Sequence, residues 1–150
     1  MLLFSGCKKD KLDTEDLRIP RLMVEARGVD YGGMSGQVVE LPVSGTRIPL
    51  RKEPLVNEFE IANVELVKVE MGLALLIQTN ERGSRALYRG TVSNMGGRIV
   101  LTVNGNAIGA RRIDSAIQNG NFYIFVEVDD DEVGQLVQDM KKSIEQLQEL

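Results

Sequence analysis

Residues 91–108 read TVSNMGGRIVLTVNGNAI, and the fold class follows from this stretch. Gly96 and Gly97 stop the segment before them as a helix end does, because glycine adopts the left-handed conformation there without a Cβ penalty. Arg98 to Val103 then sets Ile99, Leu101 and Val103 against Val100 and Thr102, the period of a strand. Asn104-Gly105 is the turn dipeptide that best matches hairpin twist. A return strand is therefore expected from Asn106 to about Ile113, and the unit is helix, stop, antiparallel pair.

Working upstream, Leu73 to Thr79 (LALLIQT) is an apolar run of strand length, and Thr79 or Asn80 then caps a helix from about Glu81 to Ser93. Ala86, Leu87, Tyr88 and Val92 are its expected buried stripe. Ile61 to Val69 is strand-like with both faces partly apolar, and a bulge reconciles its two parities. Gln37 to Val43 and Thr46 to Leu50 read as strands around Ser44-Gly45, with Pro42 and Pro49 restricting them to edges or strand ends. Arg21 to Arg27 reads as a half-buried strand, and Gly28 to Gly36, with four glycines besides its polar residues, as a loop. Downstream, Asn121 to Val128 (NFYIFVEV) is the strongest strand by aromatic and β-branched content. Asp129-Asp130-Asp131-Glu132 opens a last helix, since acids at its start oppose the positive end of the backbone dipole. Val133, Leu136, Val137, Met140, Ile144 and Leu147 form one face of it, meant to cover the sheet. The expected class is α+β: a mostly antiparallel sheet with two main helices packed on it, a ferredoxin-like or related sandwich.

With 150 residues the chain has the length of one domain, and no apolar run approaches the roughly 20 residues that span a bilayer. It has no His, no Trp and one Cys, which removes the commonest general base, most transition-metal ligand sets and an internal disulfide. The Gly32-Gly33-Met34-Ser35-Gly36 loop lacks the Gly-Lys-Ser/Thr of a phosphate loop, and Ser35-Gly36 lies in no nucleophile elbow. Glu58 with Glu60, and Asp129 to Glu132, are the carboxylate groupings available for acid/base work or cation binding, but the acidic run lacks the alternating ligands of a calcium loop. No cofactor and no metal site is expected. Arg82, Arg85 and Arg89 recur at helical spacing and Arg98, Arg111 and Arg112 follow, so these six form a candidate basic patch for an acidic partner or anionic head groups. The alternative for them is a solvated surface neutralised by the acidic C-terminal segment. Nucleic acid is disfavoured by the net charge of −4 and the lack of aromatics among the basic residues.

Two resemblances add an address and a family. Met1-Leu2-Leu3-Phe4-Ser5-Gly6-Cys7, followed by Lys8-Lys9-Asp10-Lys11, resembles the end of a bacterial lipoprotein signal, with Phe4 where Leu is usual. That resemblance makes Cys7 the lipidation site and the bacterial cell envelope, periplasmic or extracytoplasmic, the location; the alternative is a short hydrophobic tail. The order of pieces from Ile48 to about Leu147 resembles the head of the first periplasmic domain of the SecD/SecDF protein-export family. The pieces are LRKEPLVNEFEIANVELVK (Leu50 to Lys68), LALLIQTNERGSRAL (Leu73 to Leu87), TVSNMGGRIVLTVNGNAI (Thr91 to Ile108) and RRIDSAIQNGNFYIFVEVDDDEVGQL (Arg111 to Leu136). Gly109-Ala110 stands where the family has a proline, and Val128-Asp129-Asp130 where it has Gly-Phe-Thr. The resemblance implies helices on an antiparallel sheet without the family's membrane motor.

The expected organisation is a truncated signal over 1–7, a charged tether over 8–20, strands and the glycine loop over 21–47, and the SecD-head-like domain over 48–150. The expected function is a non-enzymatic, lipid-anchored envelope protein. Its domain would bind a partner protein or an unfolded segment, with sheet edges near Pro42 and Pro49 as one contact. The alternative is a small envelope hydrolase or ligand-binding lipoprotein using carboxylates and the Gly32–Gly36 loop. A concave pocket with convergent carboxylates would separate the two.

Overall fold

The computed structural model describes residues 16–27 and 35–150. Cys7, most of the tether and residues 28–34 of the glycine loop lie outside them. The hairpin is formed as expected: β6 (Arg98–Val103) pairs antiparallel with β7 (Asn106–Arg112), and β1 (Pro20–Val24) pairs with the other edge of β6. Asn104 and Gly105 turn the corner with φ of 53° and 85°. A ribbon of β2 (Ser35–Glu40) and β3 (Arg47–Arg51) and a sheet in the order β4 (Ile61–Val69), β5 (Gly72–Thr79), β8 (Asn121–Ile124) complete the strands among the described residues. The β4–β5 register shifts between Ile61 and Asn63, the bulge that the double parity of this segment requires.

The alternation in β6 has two destinations. Ile99, Leu101 and Val103 enter the main core with Leu22, Val64, Leu75, Ile77, Phe122 and Ile124, while Val100 enters a second core with Met23, Val39, Leu41, Ile48 and Leu50. The sheet β1-β6-β7 is therefore covered on both faces, by the β4-β5-β8 sheet and helices on one side and by the β2–β3 ribbon on the other. For the same reason β1 has buried residues on both faces, Leu22 and Val24 on one and Met23 on the other, with Arg21 alone exposed.

Helix α1 (Glu81–Ser93) and helix α2 (Asp130–Gln148) pack on the main core through Leu87 and through Val133, Val137, Met140 and Ile144. Ser143 interrupts the apolar face of α2 and is fully buried; its hydroxyl donates to Asp139 O at 2.8 Å and accepts from the Arg18 backbone N–H at 2.7 Å. Val126 and Leu136 both pack against the main core, as expected.

One strand is shorter than expected. β8 ends at Ile124, not Val128, because the chain leaves β5 there and crosses to β7, where Glu127 N donates to Ile108 O at 2.7 Å. Gly109 admits that crossing, since a Cβ on it would stand 2.5 Å from Phe125 O. The Arg111 guanidinium closes the seam further along by donating to Tyr123 O at 2.8 Å.

Candidate partner-binding face

The face begins with how α1 is seated. The Asn80 side chain accepts from Gly83 N at 2.9 Å and caps the helix, resolving the choice between Thr79 and Asn80. Thr79 instead donates to Gly120 O. The buried side of α1 consists of Gly83, Leu87, Gly90 and Thr91. Gly83 lies against the Glu60 carbonyl and Gly90 against the Leu55 side chain, so the helix approaches its neighbours closely. Thr91 Oγ1 donates to Leu87 O and accepts from Ile117 N at 3.0 Å, which satisfies the buried hydroxyl.

This seating corrects the expected stripe. Leu87 is buried and Ala86 half-buried, but Tyr88 and Val92 are 42% and 49% exposed, and Met95 beyond the helix is 44% exposed. The helix turns its small residues inward, where Gly83 and Gly90 let it approach Glu60 and Leu55 more closely than a side chain would allow. The signal was present in Gly83, Gly90 and Thr91 at i, i+7 and i+8, which an apolar-only count omits.

Arg82, Arg85 and Arg89 lie exposed beside that apolar row, with Arg85 pairing to Glu81 at 3.1 Å on the same helix. Two grooves flank the helix, and Arg89 lines both. One of about 700 Å³ runs between α1 and residues 51–55, with Val24, Leu55 and Ala86 as apolar lining and Arg51, Lys52 and Glu53 as charges. The other, of about 720 Å³, is lined by Glu81, Ser84, Arg85, Tyr88, Arg89 and Gln118. Arg51 and Lys52 thus join the helix arginines from the end of β3, a contribution that spacing along α1 could not reveal. Arg51 Nη2 donates to the buried Asn94 side chain at 3.0 Å, which fixes this edge of the groove.

The other three arginines go elsewhere. Arg98 forms a two-pronged pair with Glu25, at 3.1 and 2.7 Å. Arg112 approaches Asp114 at 3.5 Å, and Arg111 sits at the β7–β8 seam with its guanidinium 5.3 Å from the Phe122 ring centroid. Pro49 does not offer a free edge either, because its carbonyl accepts from Ala26 N at 2.8 Å.

The carboxylates are engaged structurally. Glu58 accepts two hydrogen bonds from Arg21, at 2.7 and 2.9 Å, while Glu60 accepts from Asn57 N at 3.0 Å. The Arg21 hydrogen bond holds Glu58 below its ordinary pKa, and Arg98 does the same to Glu25. A general acid needs a raised value. Glu127, too, is lowered: burial opposes this, but the N–H groups of Ser44 and Val43 prevail. Four concavities formed by described residues, the two beside α1 and two smaller ones, each carry one carboxylate at most. Asp129, Asp131 and Glu132 can bring one oxygen each within 4.8 Å of one another, but all three are exposed at the start of α2, where the backbone dipole accounts for them.

Fold and face together define a small α+β domain with an apolar and basic helix surface, in which no described helix is long and apolar enough to cross a membrane. Solved structures of SecDF share this fold. A structure of the membrane component SecDF that enhances protein export superposes with a TM-score of 0.62 at 14% identity, covering 90% of this chain and 71% of that one. SecDF in a super-membrane-facing form gives 0.62 at 14% identity, over 83% of this chain and 19% of that chain. SecDF of Thermus thermophilus, a translocon-associated membrane protein, gives 0.51 at 18% identity over 83% and 20%. The likeness is one of fold, a SecD-like head-type domain, and it extends beyond the two-thirds of the chain whose motifs suggested it. The sequence matches no family model and no curated protein.

Proposed function

We propose that this protein is a non-enzymatic binding module of the bacterial cell envelope, held at the membrane by lipid on Cys7 and contacting a partner protein or an unfolded segment through α1. The observation that carries the reading is the exposed row Tyr88, Val92 and Met95 flanked by Arg82, Arg85 and Arg89. Aromatic, Met and Arg side chains are those enriched where proteins bind one another. Arg51 and Lys52 extend the basic border, which suits a partner with acidic residues around an apolar centre. Similarity of fold to SecDF supports an extracytoplasmic location and contact with other proteins. The engaged carboxylates and the lack of their convergence in these concavities favour binding over the hydrolase reading.

Affinity capture from envelope extracts, with the anchor intact, tests this. The wild-type chain should retain a partner that Tyr88→Ala with Arg89→Glu loses, at unchanged thermal stability. Equal recovery by both proteins would reject the α1 face.

A further inference from the structure

The sequence holds two Asn-Gly dipeptides, Asn104-Gly105 and Asn119-Gly120. Asparagine before glycine is the pairing most prone to deamidation, because no side chain shields the glycine nitrogen from the asparagine carboxamide. Both asparagines are exposed, yet the fold guards them differently. At Asn119-Gly120 the guard is the backbone. Gly120 is buried, its carbonyl accepts from Thr79 N at 3.0 Å and from Thr79 Oγ1 at 2.8 Å, and a Cβ on it would collide with Ser84 Oγ. Its nitrogen can swing toward the Asn119 carboxamide only if this seat against β5 and α1 opens. At Asn104-Gly105 the backbone is open, with nothing within 4 Å of a Cβ position on Gly105, and the guard is the side chain. Asn104 Oδ1 accepts from Ile19 N and Nδ2 donates to Leu17 O, both at 2.7 Å, and the Asn104 backbone N–H donates to Ile19 O at 3.0 Å. The clamped residues 17–19 precede β1, are only half-buried, and are also held by Arg18 N donating to Ser143 Oγ at 2.7 Å.

We propose that Asn104 is a covalent modification site, at which deamidation is gated by the docking of residues 17–19 and, once complete, loosens that segment for good. When 17–19 lifts, the Gly105 nitrogen attacks Asn104 Cγ. The N–Cγ bond forms, the Cγ–Nδ2 bond breaks, and ammonia leaves with the proton of the attacking nitrogen. Water then opens the succinimide at either carbonyl, leaving aspartate or isoaspartate in place of Asn104. An ionised aspartate only accepts hydrogen bonds, so an oxygen replaces the donor that faced Leu17 O and the clamp cannot re-form as it was. Isoaspartate adds a backbone methylene to a turn of two residues between the paired Val103 and Asn106, and breaks its geometry. A half-buried segment entering a domain opens at lower free energy than a contact between core elements, which puts Asn104 ahead of Asn119. Loss of the clamp leaves the chain firmly held only from Pro20, where β1 begins.

Peptide mapping by mass spectrometry of the full chain, aged at mildly alkaline pH, tests this. Asn104 should convert at least about tenfold faster than Asn119. Ser143→Ala removes the acceptor of Arg18 N without touching the reacting atoms, and should speed conversion of Asn104 about fivefold while leaving Asn119 unchanged. Asn104→Asp, which mimics one product without ageing, should raise hydrogen exchange of the Arg18 amide about tenfold while the amides paired between β6 and β7 keep their protection. If Ser143→Ala disturbs folding, Asn104→Asp reads the clamp alone. Faster conversion at Asn119, no conversion at Asn104, or an Asn104 rate indifferent to Ser143→Ala in a folded chain overturns the gating. Unchanged exchange at Arg18 in Asn104→Asp overturns the loosening.

Discussion

Asn104 does two things at once: at φ 53° it makes half of a hairpin turn, and its side chain accepts from Ile19 N and donates to Leu17 O, both at 2.7 Å, clamping the chain as it enters the domain. Gly105 supplies the other half at φ 85° with nothing within 4 Å of a Cβ position. The cost of a side chain there is therefore backbone strain alone. Gly105→Val should lower stability by about 1–2 kcal/mol or more, a fall of several degrees in melting temperature. An unchanged midpoint would contradict the turn. At Glu25, Arg98 holds the carboxyl below its ordinary value of 4.5. A depressed folded-state pKa contributes stability above 4.5 that is lost as pH falls through the folded value. Arg98 is 34% exposed, so solvent screens the pair, and Arg98→Gln should cost about 1 kcal/mol at neutral pH. Urea melts at descending pH should show wild type and variant converging below about 4.5; a constant gap would mean that Arg98 acts through packing only.

Among elements, α1 separates hydrophobicity from burial. Leu87→Ala should cost about 2–5 kcal/mol because it empties a filled site, whereas Val92→Ala should stay within about 0.5 kcal/mol at a half-exposed one. Equal losses at both would reverse the orientation of the helix. The seam between β7 and β8 depends on Gly109 in the same way. Gly109→Ala would press a Cβ onto Phe125 O and Val126 Cα, which are backbone atoms without a rotamer to change. A loss of about 1–3 kcal/mol is expected in chemical unfolding, and a neutral result would show that the crossing segment is free to shift. The Asn121–Val128 strand was legible by composition, but its end was not. Propensity sees only local preference, and the chain leaves β5 at Ile124 for a bond to a strand encoded earlier.

For the whole molecule, the proposed lipid attachment at Cys7 predicts that Cys7→Ser moves the protein from the membrane fraction to the soluble one, since buried acyl chains supply most of such attachment. Continued sedimentation with membranes would reject the anchor. The α+β class, the Glu81–Ser93 helix, the Asn104-Gly105 hairpin and the bulge in β4 were all determined by the sequence by itself. Each rests on contacts or backbone angles within a few residues, where periodicity and turn chemistry act. The candidate face was half legible: helical spacing groups Arg82, Arg85 and Arg89, but it cannot show that Arg51 and Lys52 arrive beside them or that Arg98 is taken by Glu25. Tertiary structure alone decided those, together with the burial of Gly83 and Gly90 in place of Tyr88 and Val92. The physical reason is that such outcomes are set by which surfaces meet across long sequence separations, and one chain's local pattern is compatible with several such meetings.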